Sequence, residues 1–174
     1  DAYLRAGKAN VLVAVGVEKL TGIVDIGDAN APLFGDGAGA SVLATSSYIL
    51  DRRDLFPPGK LVGGVVATYI QNDSSGDNLK AIHRDDHRIL RMFEGNNVLR
   101  YATRSIAEAV HQIKIKTGWS NDDIDLVIPH QANIRILEAV ARVSNLPMEK
   151  IYVNIERYGN MSSATCGIAH AEAL

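Results

Sequence analysis

Apolar positions in the first half of the chain form short, nearly continuous runs. The run at 10–16 is typical of a strand buried on both faces of a layered α/β protein. Further strands are predicted at 41–45 and 61–70, and the glycine-rich segment 34–40 is predicted to be a turn before the first of these two. The polar stretch 71–94 then predicts a long surface excursion.

The second half of the chain changes to a helical period. Residues 96–117 carry apolar side chains at helical spacing and end at a glycine, which predicts a long helix. A shorter amphipathic helix is predicted at 133–144, and a helix of small residues is predicted to begin at Ser162. Strands are predicted between the helices, at 123–129 and 150–154. This alternation favours one α/β domain with a mixed or parallel sheet between helical layers.

Composition narrows the class of protein. The chain has 174 residues, of which 47% are hydrophobic, and its 18 Lys and Arg nearly balance its 20 Asp and Glu. That balance gives no reason to expect a nucleic-acid or membrane partner. No apolar run reaches the roughly 18 residues of a membrane-spanning helix. With one cysteine there is no internal disulfide, so the cytoplasm is the expected compartment.

Both ends of the sequence look cut. Residues 1–8 are typical of the last turns of a helix that closes on Gly7, and residues 169–174 still favour a helix where the sequence stops. We therefore expect this chain to be a piece of a longer protein.

Two polar residues follow predicted strands and precede predicted helices. His130 comes directly after the strand at 123–129, and Asn160 lies in a glycine turn after the strand at 150–154. Ligands of α/β proteins gather at the carboxyl ends of strands. Taken singly, each residue has a structural explanation, as a packed histidine or a turn-filling asparagine. Taken together, two neutral hydrogen-bond donors at such positions can stabilise a developing oxyanion.

Three motifs carry a resemblance to a known family. They are Phe34-Gly-Asp-Gly-Ala-Gly-Ala40, Pro129-His-Gln-Ala-Asn-Ile-Arg135 and Glu156-Arg-Tyr-Gly-Asn-Met-Ser162. In order and spacing the chain resembles the β-ketoacyl-acyl-carrier-protein synthase III family of the thiolase superfamily. The resemblance implies an incomplete thiolase-like layered fold. Residues 1–50 would end its first half, and residues 51–174 would form most of its second half.

The resemblance also implies a reaction. In that family a cysteine takes an acyl group from acyl-CoA, and malonyl-acyl-carrier protein then loses carbon dioxide to give an enolate that attacks the acyl thioester. By resemblance, His130 and Asn160 would hydrogen-bond the malonyl thioester oxygen and stabilise the enolate. The partners would be acyl carrier protein and acyl-CoA. The family uses no resident cofactor or metal, and the complete protein would be a homodimer.

Binding residues are implied in the same way. Arg135 would lie near the pocket mouth and meet the phosphates of CoA or the acidic face of the carrier protein. Arg100 and Arg142 are weaker candidates for that surface, since both also fit plain solvated helix charges. Asn96 and Asn133 would contact the pantetheine arm.

The family's nucleophilic cysteine is not in this sequence, because its position would precede Asp1. Cys166 follows Asn160 among small residues and is predicted to be a buried structural thiol. The family's last strands would lie after Leu174. The chain alone is therefore expected to be inactive, with apolar surface exposed.

Other interpretations stay open. The chain could be a non-catalytic thiolase-fold subunit or scaffold, or part of a secondary-metabolite or hydroxymethylglutaryl-CoA-type synthase. The glycines of 34–40 precede a strand, so they indicate close backbone packing rather than a dinucleotide site. His83 and His87 have the residue type of metal ligands but lack a further strong ligand, so no metal site is predicted.

Overall fold

The computed structural model describes residues 2–52, 54, 63–72, 82–84, 89–92 and 94–173, with only the backbone described at 82–84, 91 and 92. The helices are α1 Ala2–Arg5, α2 Ser46–Asp51, α3 Gly95–Thr117, α4 Ile134–Val143, α5 Ile155–Tyr158 and α6 Ala164–Ala173. The strands are β1 Val11–Lys19, β2 Asp36–Ala44, β3 Ile82–Arg84 and β4 Leu90–Met92. Single 3-10 turns lie at Leu20–Gly22, Ala31–Leu33 and Met148–Lys150.

The first two strands form an antiparallel ribbon. Val11 pairs with Ala44 at one end and Lys19 pairs with Asp36 at the other. The strands predicted at 10–16 and 41–45 are confirmed, but β2 begins inside the glycine-rich segment that was predicted to be a turn. Pairing with β1 extends this segment although its residues favour turns, because strand formation depends on cross-strand neighbours more than on intrinsic preference.

The burial predicted for β1 is wrong in this chain. The ribbon exposes a row of valines, among them Val15 at 64% and Val42 at 69% of their surface. Strand β1 contributes no buried residue among those that the structure describes. The apolar run therefore specifies a strand, whereas its surroundings in this chain leave that strand open to solvent.

Helix α6 covers part of the ribbon by direct backbone contact. A Cβ added at Gly39 would lie 3.0 Å from the carbonyl oxygen of Ala164, and one added at Gly167 would lie 3.0 Å from the Cα of Gly39. A Cβ at Gly16 would collide with the carbonyl of Ser163. The expectation that the glycines permit close packing is thus confirmed, with α6 as the element that approaches.

Helices α3 and α4 agree with the predicted helices within about two residues. Helix α3 ends at Gly118, which adopts the left-handed conformation (φ 74°) that glycine tolerates best. Helix α4 begins after Asn133, whose side-chain oxygen accepts a hydrogen bond from the backbone of Arg135. Both helices are amphipathic, and they pack against each other.

The core of the described region gathers on α4. Leu137 and Ala141 lie on its buried stripe, and Leu146 and Ile151 pack against them from the segment that follows. Val110 of α3 closes the cluster from the other side. These contacts hold the second half of the chain together by side-chain packing.

Several strand predictions fail. The predicted strands 123–129 and 150–154 meet only at one parallel bridge, between Val127 and Ile151. Residues 63–70 form no strand in the described part of the predicted strand 61–70, and residues 61 and 62 lie outside the described residues. Conversely, the polar stretch 71–94 contains the short β3–β4 pair.

The α/β class is confirmed, although the described ladders are antiparallel and parallel pairing is limited to isolated bridges. Among the residues that the structure describes, no helix is both long and apolar enough to cross a membrane.

Candidate active site

His130 lies on a short loop between the Val127 bridge and α4. Its neighbours Pro129 and Gln131 are buried, and its own side chain is half-buried. Burial lowers the pKa of His130 below its ordinary value, because the interior disfavours the charged imidazolium. The ring is therefore neutral over most of the physiological pH range.

Gln131 fastens this loop to the neighbouring segment. Its side chain is fully buried, and its amide nitrogen donates hydrogen bonds to the carbonyls of Pro129 and Tyr152, both at 3.0 Å. Its amide oxygen accepts one from the backbone of Asn154, also at 3.0 Å. These three bonds replace the ladder bonds that a full strand pair would supply. A buried amide can do this because it both donates and accepts.

Gln131 is not among the site residues predicted from the sequence. Its position in the sequence could have indicated this role. Gln131 lies inside the motif 129–135, between an apolar run and a helix N-cap, where a polar side chain is buried and needs hydrogen-bond partners.

Thr165, in the first turn of α6, contacts the imidazole ring of His130. The Nδ1 atom of His130 lies 2.5 Å from the Thr165 hydroxyl oxygen. Thr165 is fully buried, and its hydroxyl donates to the carbonyl oxygen of Ser162 at 2.8 Å. The imidazole is thus held by one ring nitrogen, while Nε2 makes no hydrogen bond to any residue that the structure describes.

Asn160 is fixed through its backbone by the start of the ribbon. Its N–H donates to the carbonyl of Leu33 at 2.7 Å, and its carbonyl accepts from the N–H of Gly35 at 2.9 Å. These bonds form the parallel bridge between Phe34 and Asn160. Two of the quoted motifs, far apart in sequence, therefore meet at this point.

The side chain of Asn160 is oriented by the next turn. Its Oδ1 accepts a hydrogen bond from the backbone of Ser162 at 2.9 Å. That bond assigns the amide oxygen, so the opposite Nδ2 group is the free donor. Within the described parts of the chain, Nδ2 has no hydrogen-bond partner.

His130 and Asn160 therefore converge on one turn, residues 160–165, which leads into α6. The helix start adds positive potential there. The Glu18 carboxylate of β1 already accepts from the hydroxyl and backbone of Ser163, at 2.6 and 3.3 Å. The Ser163 hydroxyl lowers the pKa of Glu18, so this carboxylate stays ionised beside the helix start. Two uncommitted polar atoms, His130 Nε2 and Asn160 Nδ2, remain for a ligand.

Glu172 of α6 braces the chain that leads to Asn160. Its carboxylate accepts hydrogen bonds from four side chains, at 2.6 to 3.2 Å, of Tyr152, Asn154, Arg157 and Tyr158. The hydrogen bond from Asn154 is the main cause of the lowered pKa of Glu172. The sequence does not predict these hydrogen bonds, because Glu172 is distant from its partners in sequence and has the pattern of an ordinary solvent-exposed helix residue.

The other predicted binding residues lie on two helix faces. Arg135 is exposed in the first turn of α4, directly after the His130 loop, and Arg142 is exposed in its last turn, about 10 Å further along the axis. Asn96 and Arg100 are exposed near the start of α3, where Arg100 donates to the side chain of Asn97 at 2.7 Å. Their roles stay predictions.

Asn133 has a structural duty, since its oxygen caps α4 through the backbone of Arg135 at 2.9 Å. The prediction that Cys166 is a buried thiol is wrong for this chain, because Cys166 is exposed. Small neighbours on α6 pack through Gly167, on an adjacent face of the helix.

The histidine pair considered for a metal is not tested, since His87 and the His83 side chain lie outside the described residues. Within the described part of the chain, no three His, Cys, Asp or Glu residues form a group that could hold a metal ion.

Comparison with known proteins matches this chain to one family. The profile of 3-oxoacyl-[acyl-carrier-protein (ACP)] synthase III matches residues 1–53, and the profile of its C-terminal part matches residues 115–174. A β-ketoacyl-[acyl-carrier-protein] synthase III from Aquifex aeolicus is 38% identical over 100% of this chain and 52% of its own length.

Solved structures agree. The crystal structure of the Aquifex aeolicus VF5 synthase III has a TM-score of 0.84 at 36% identity, over 99% of this chain and 51% of that one. The Pseudomonas aeruginosa PAO1 enzyme has a TM-score of 0.82 at 30% identity, with the same coverage. The chain therefore belongs to the 3-oxoacyl-[acyl-carrier-protein] synthase III family and has its thiolase fold. It spans about half the length of the curated relatives it matches.

Proposed function

We propose that the protein containing this chain catalyses the decarboxylative Claisen condensation of acyl-CoA with malonyl-acyl-carrier protein. The product is a β-ketoacyl-acyl-carrier protein, as in the first elongation of fatty acid synthesis. In this proposal the chain supplies the half of the site that decarboxylates the malonyl group. The acyl-accepting cysteine comes from a segment outside this sequence, so the chain alone completes no turnover.

The observation that carries the proposal is the convergence of His130 and Asn160 on the turn 160–165. Each side chain is fixed through one polar atom, by Thr165 and by Ser162, and keeps another polar atom uncommitted. Groups fixed before the substrate arrives need no reorganisation when charge develops. A thioester oxygen between them would gain most as decarboxylation turns it into an enolate oxygen.

The exposed cations support the choice of substrate. Arg135 follows the His130 loop and would meet a phosphate of CoA or the acidic carrier protein, and Arg100 and Arg142 would extend that surface. Asn96 and Asn133 would contact the pantetheine arm. The thioesters are substrates, and the proposal includes no resident cofactor. We place the complete enzyme in the cytoplasm as a homodimer.

The test is malonyl-acyl-carrier-protein decarboxylation by the complete protein, measured as release of carbon dioxide. His130→Ala is expected to lower the rate about a hundredfold, the usual loss when one oxyanion donor is removed. Asn160→Asp keeps the oxygen that accepts from Ser162 but removes the amide donor, so a similar loss is expected. His111→Ala, an exposed histidine on α3, is the matched control and should leave the rate unchanged.

An unchanged rate in His130→Ala and Asn160→Asp would overturn the proposal. It would favour a thiolase-fold subunit that binds a partner without catalysis.

A further inference from the structure

Glu172, near the end of α6, forms hydrogen bonds with both ends of one chain segment. Its Oε2 atom accepts from the hydroxyl of Tyr152 at 3.2 Å and from the side-chain amide of Asn154 at 2.8 Å. The same atom accepts from Arg157 at 2.9 Å, and Oε1 accepts from the hydroxyl of Tyr158 at 2.6 Å. The Glu172 side chain is only 24% exposed. One carboxylate therefore fastens the whole segment to α6.

The first two partners connect Glu172 to the loop of His130. Gln131, next to His130, donates to the carbonyl of Tyr152 and accepts from the backbone of Asn154, both at 3.0 Å. Asn154 is 2% exposed, and its Oδ1 atom has no hydrogen-bond partner in the described part of the chain. Within that part, Glu172 is the one partner of the Asn154 side chain. Its loss would leave a buried amide unsatisfied, which is costly and favours movement of the segment.

The other two partners connect Glu172 to Asn160. Arg157 and Tyr158 lie in α5, which has four residues, and an isolated helix of that length is not stable in water. Gly159 follows with a positive φ of 68°, and Asn160 comes directly after it. The position of Asn160 therefore depends on what holds α5 in place.

We propose that Glu172 is a positioning residue that sets the separation between His130 and Asn160. It acts through the two ends of the segment that it binds. Two donors stabilise one oxyanion only if both reach it at hydrogen-bond distance, so their separation matters as much as their presence. The catalytic meaning of this inference rests on the proposed function, but the positioning itself does not.

The first test is decarboxylation of malonyl-acyl-carrier protein by the complete protein, with kcat and KM determined separately. Glu172→Ala is expected to lower kcat about tenfold, because a misplaced group loses much of its catalytic effect. KM should change little, since the cations proposed to bind the carrier protein lie on α3 and α4. Glu149→Ala, at an exposed glutamate of the 3-10 turn Met148–Lys150, is the matched control and should leave both constants unchanged.

A double variant separates positioning from a general loss of stability. In Asn160→Asp only one of the two donors remains, so their separation no longer matters. Adding Glu172→Ala to that background should lower kcat by less than about twofold, whereas damage to the whole fold would cost the same factor in both backgrounds. An equal loss in the two backgrounds would overturn the inference.

A second readout does not depend on activity. In the complete protein with nitrogen-labelled asparagine, NMR detects the side-chain amide of Asn160, which is assigned by its disappearance in Asn160→Asp. This signal should shift in Glu172→Ala and keep its position in Glu149→Ala. An unmoved signal in Glu172→Ala would contradict the proposed positioning.

Tyr158→Phe provides the test if Glu172→Ala does not fold. It removes an exposed hydroxyl with its hydrogen bond to Glu172 and should lower kcat about threefold, which corresponds to the usual contribution of one hydrogen bond. The Asn160 signal should shift in this variant too, and an unchanged kcat with an unmoved signal would refute the role of Glu172.

The two proposals fail separately. A shifted Asn160 signal in Glu172→Ala, together with decarboxylation that survives in His130→Ala, refutes only the proposed function. Loss of decarboxylation in His130→Ala, together with an unmoved signal in Glu172→Ala, refutes only the role of Glu172.

Discussion

The helical region around α4 and the β1–β2 ribbon are built on opposite packing schemes. Around α4, large side chains such as Leu137 are fully buried. In the ribbon, Val15 is 64% exposed, and the contact with α6 is made by backbone at glycines. The turn 160–165 lies where these regions meet, since Gln131 and Thr165 anchor His130 on one side and Leu33 and Gly35 hold Asn160 on the other. The geometry of the site therefore depends on both schemes.

The largest effect is expected from the helical core. Leu137→Ala should lower the free energy of unfolding by about 3 kcal/mol, because it removes a fully buried side chain and leaves a cavity. Val143→Ala on the exposed face of the same helix is the control and should cost less than about 0.5 kcal/mol. Urea unfolding followed by circular dichroism measures both. Equal losses in the two variants would show that α4 does not organise a core.

In the ribbon, enlarging a side chain should lower stability more than shortening one. Gly16→Ala should destabilise the protein by about 2 kcal/mol, because the new methyl group would press on the Ser163 carbonyl and push α6 away. Gly64→Ala, where an added Cβ meets nothing within 4 Å, is the matched control. The same unfolding measurement applies. A neutral Gly16→Ala would mean that α6 does not rest on the ribbon backbone.

The smallest effect concerns the turn between the regions and is confined to acidic pH. Burial places the pKa of His130 in the folded protein below its ordinary value of 6.5. Above that value the ring is neutral in both states. As the pH falls from 6.5 towards the lowered pKa, the unfolded chain takes up the proton first, so stability declines.

Unfolding in urea at a series of pH values measures this slope. The slope should be smaller in His130→Gln, which cannot take up the proton. An identical slope in parent and variant would contradict the burial of the ring.

The same contrast explains which elements sequence alone could predict. Helix α3 was predictable because its apolar period and its closing Gly118 are local signals. The exposure of β1 was not predictable, because an apolar run shows that a strand can be buried but not whether another element packs against it. The segment 150–154 looked like a strand, but one bridge and the side chain of Gln131 take the place of a ladder.

The site divides in the same way. His130 and Asn160 were found from their positions after strands and from the family motifs. The residues that hold His130 and its loop, Thr165 and Gln131, were not assigned a role, because their contacts join segments that are distant in sequence. The predicted burial of Cys166 was wrong, because its small neighbours in the sequence do not show whether another element packs on its side of the helix.

The backbone bridge between Phe34 and Asn160 bears on how this protein can be recombined with its relatives. A chimera that takes its last helices from one relative and the ribbon with its preceding segment 33–35 from another would separate Asn160 from the backbone that aligns it. Crossover points that keep 33–35 and 160–162 from the same parent should preserve the alignment. Inherited function would then follow pairs of contacting segments rather than continuous stretches of sequence.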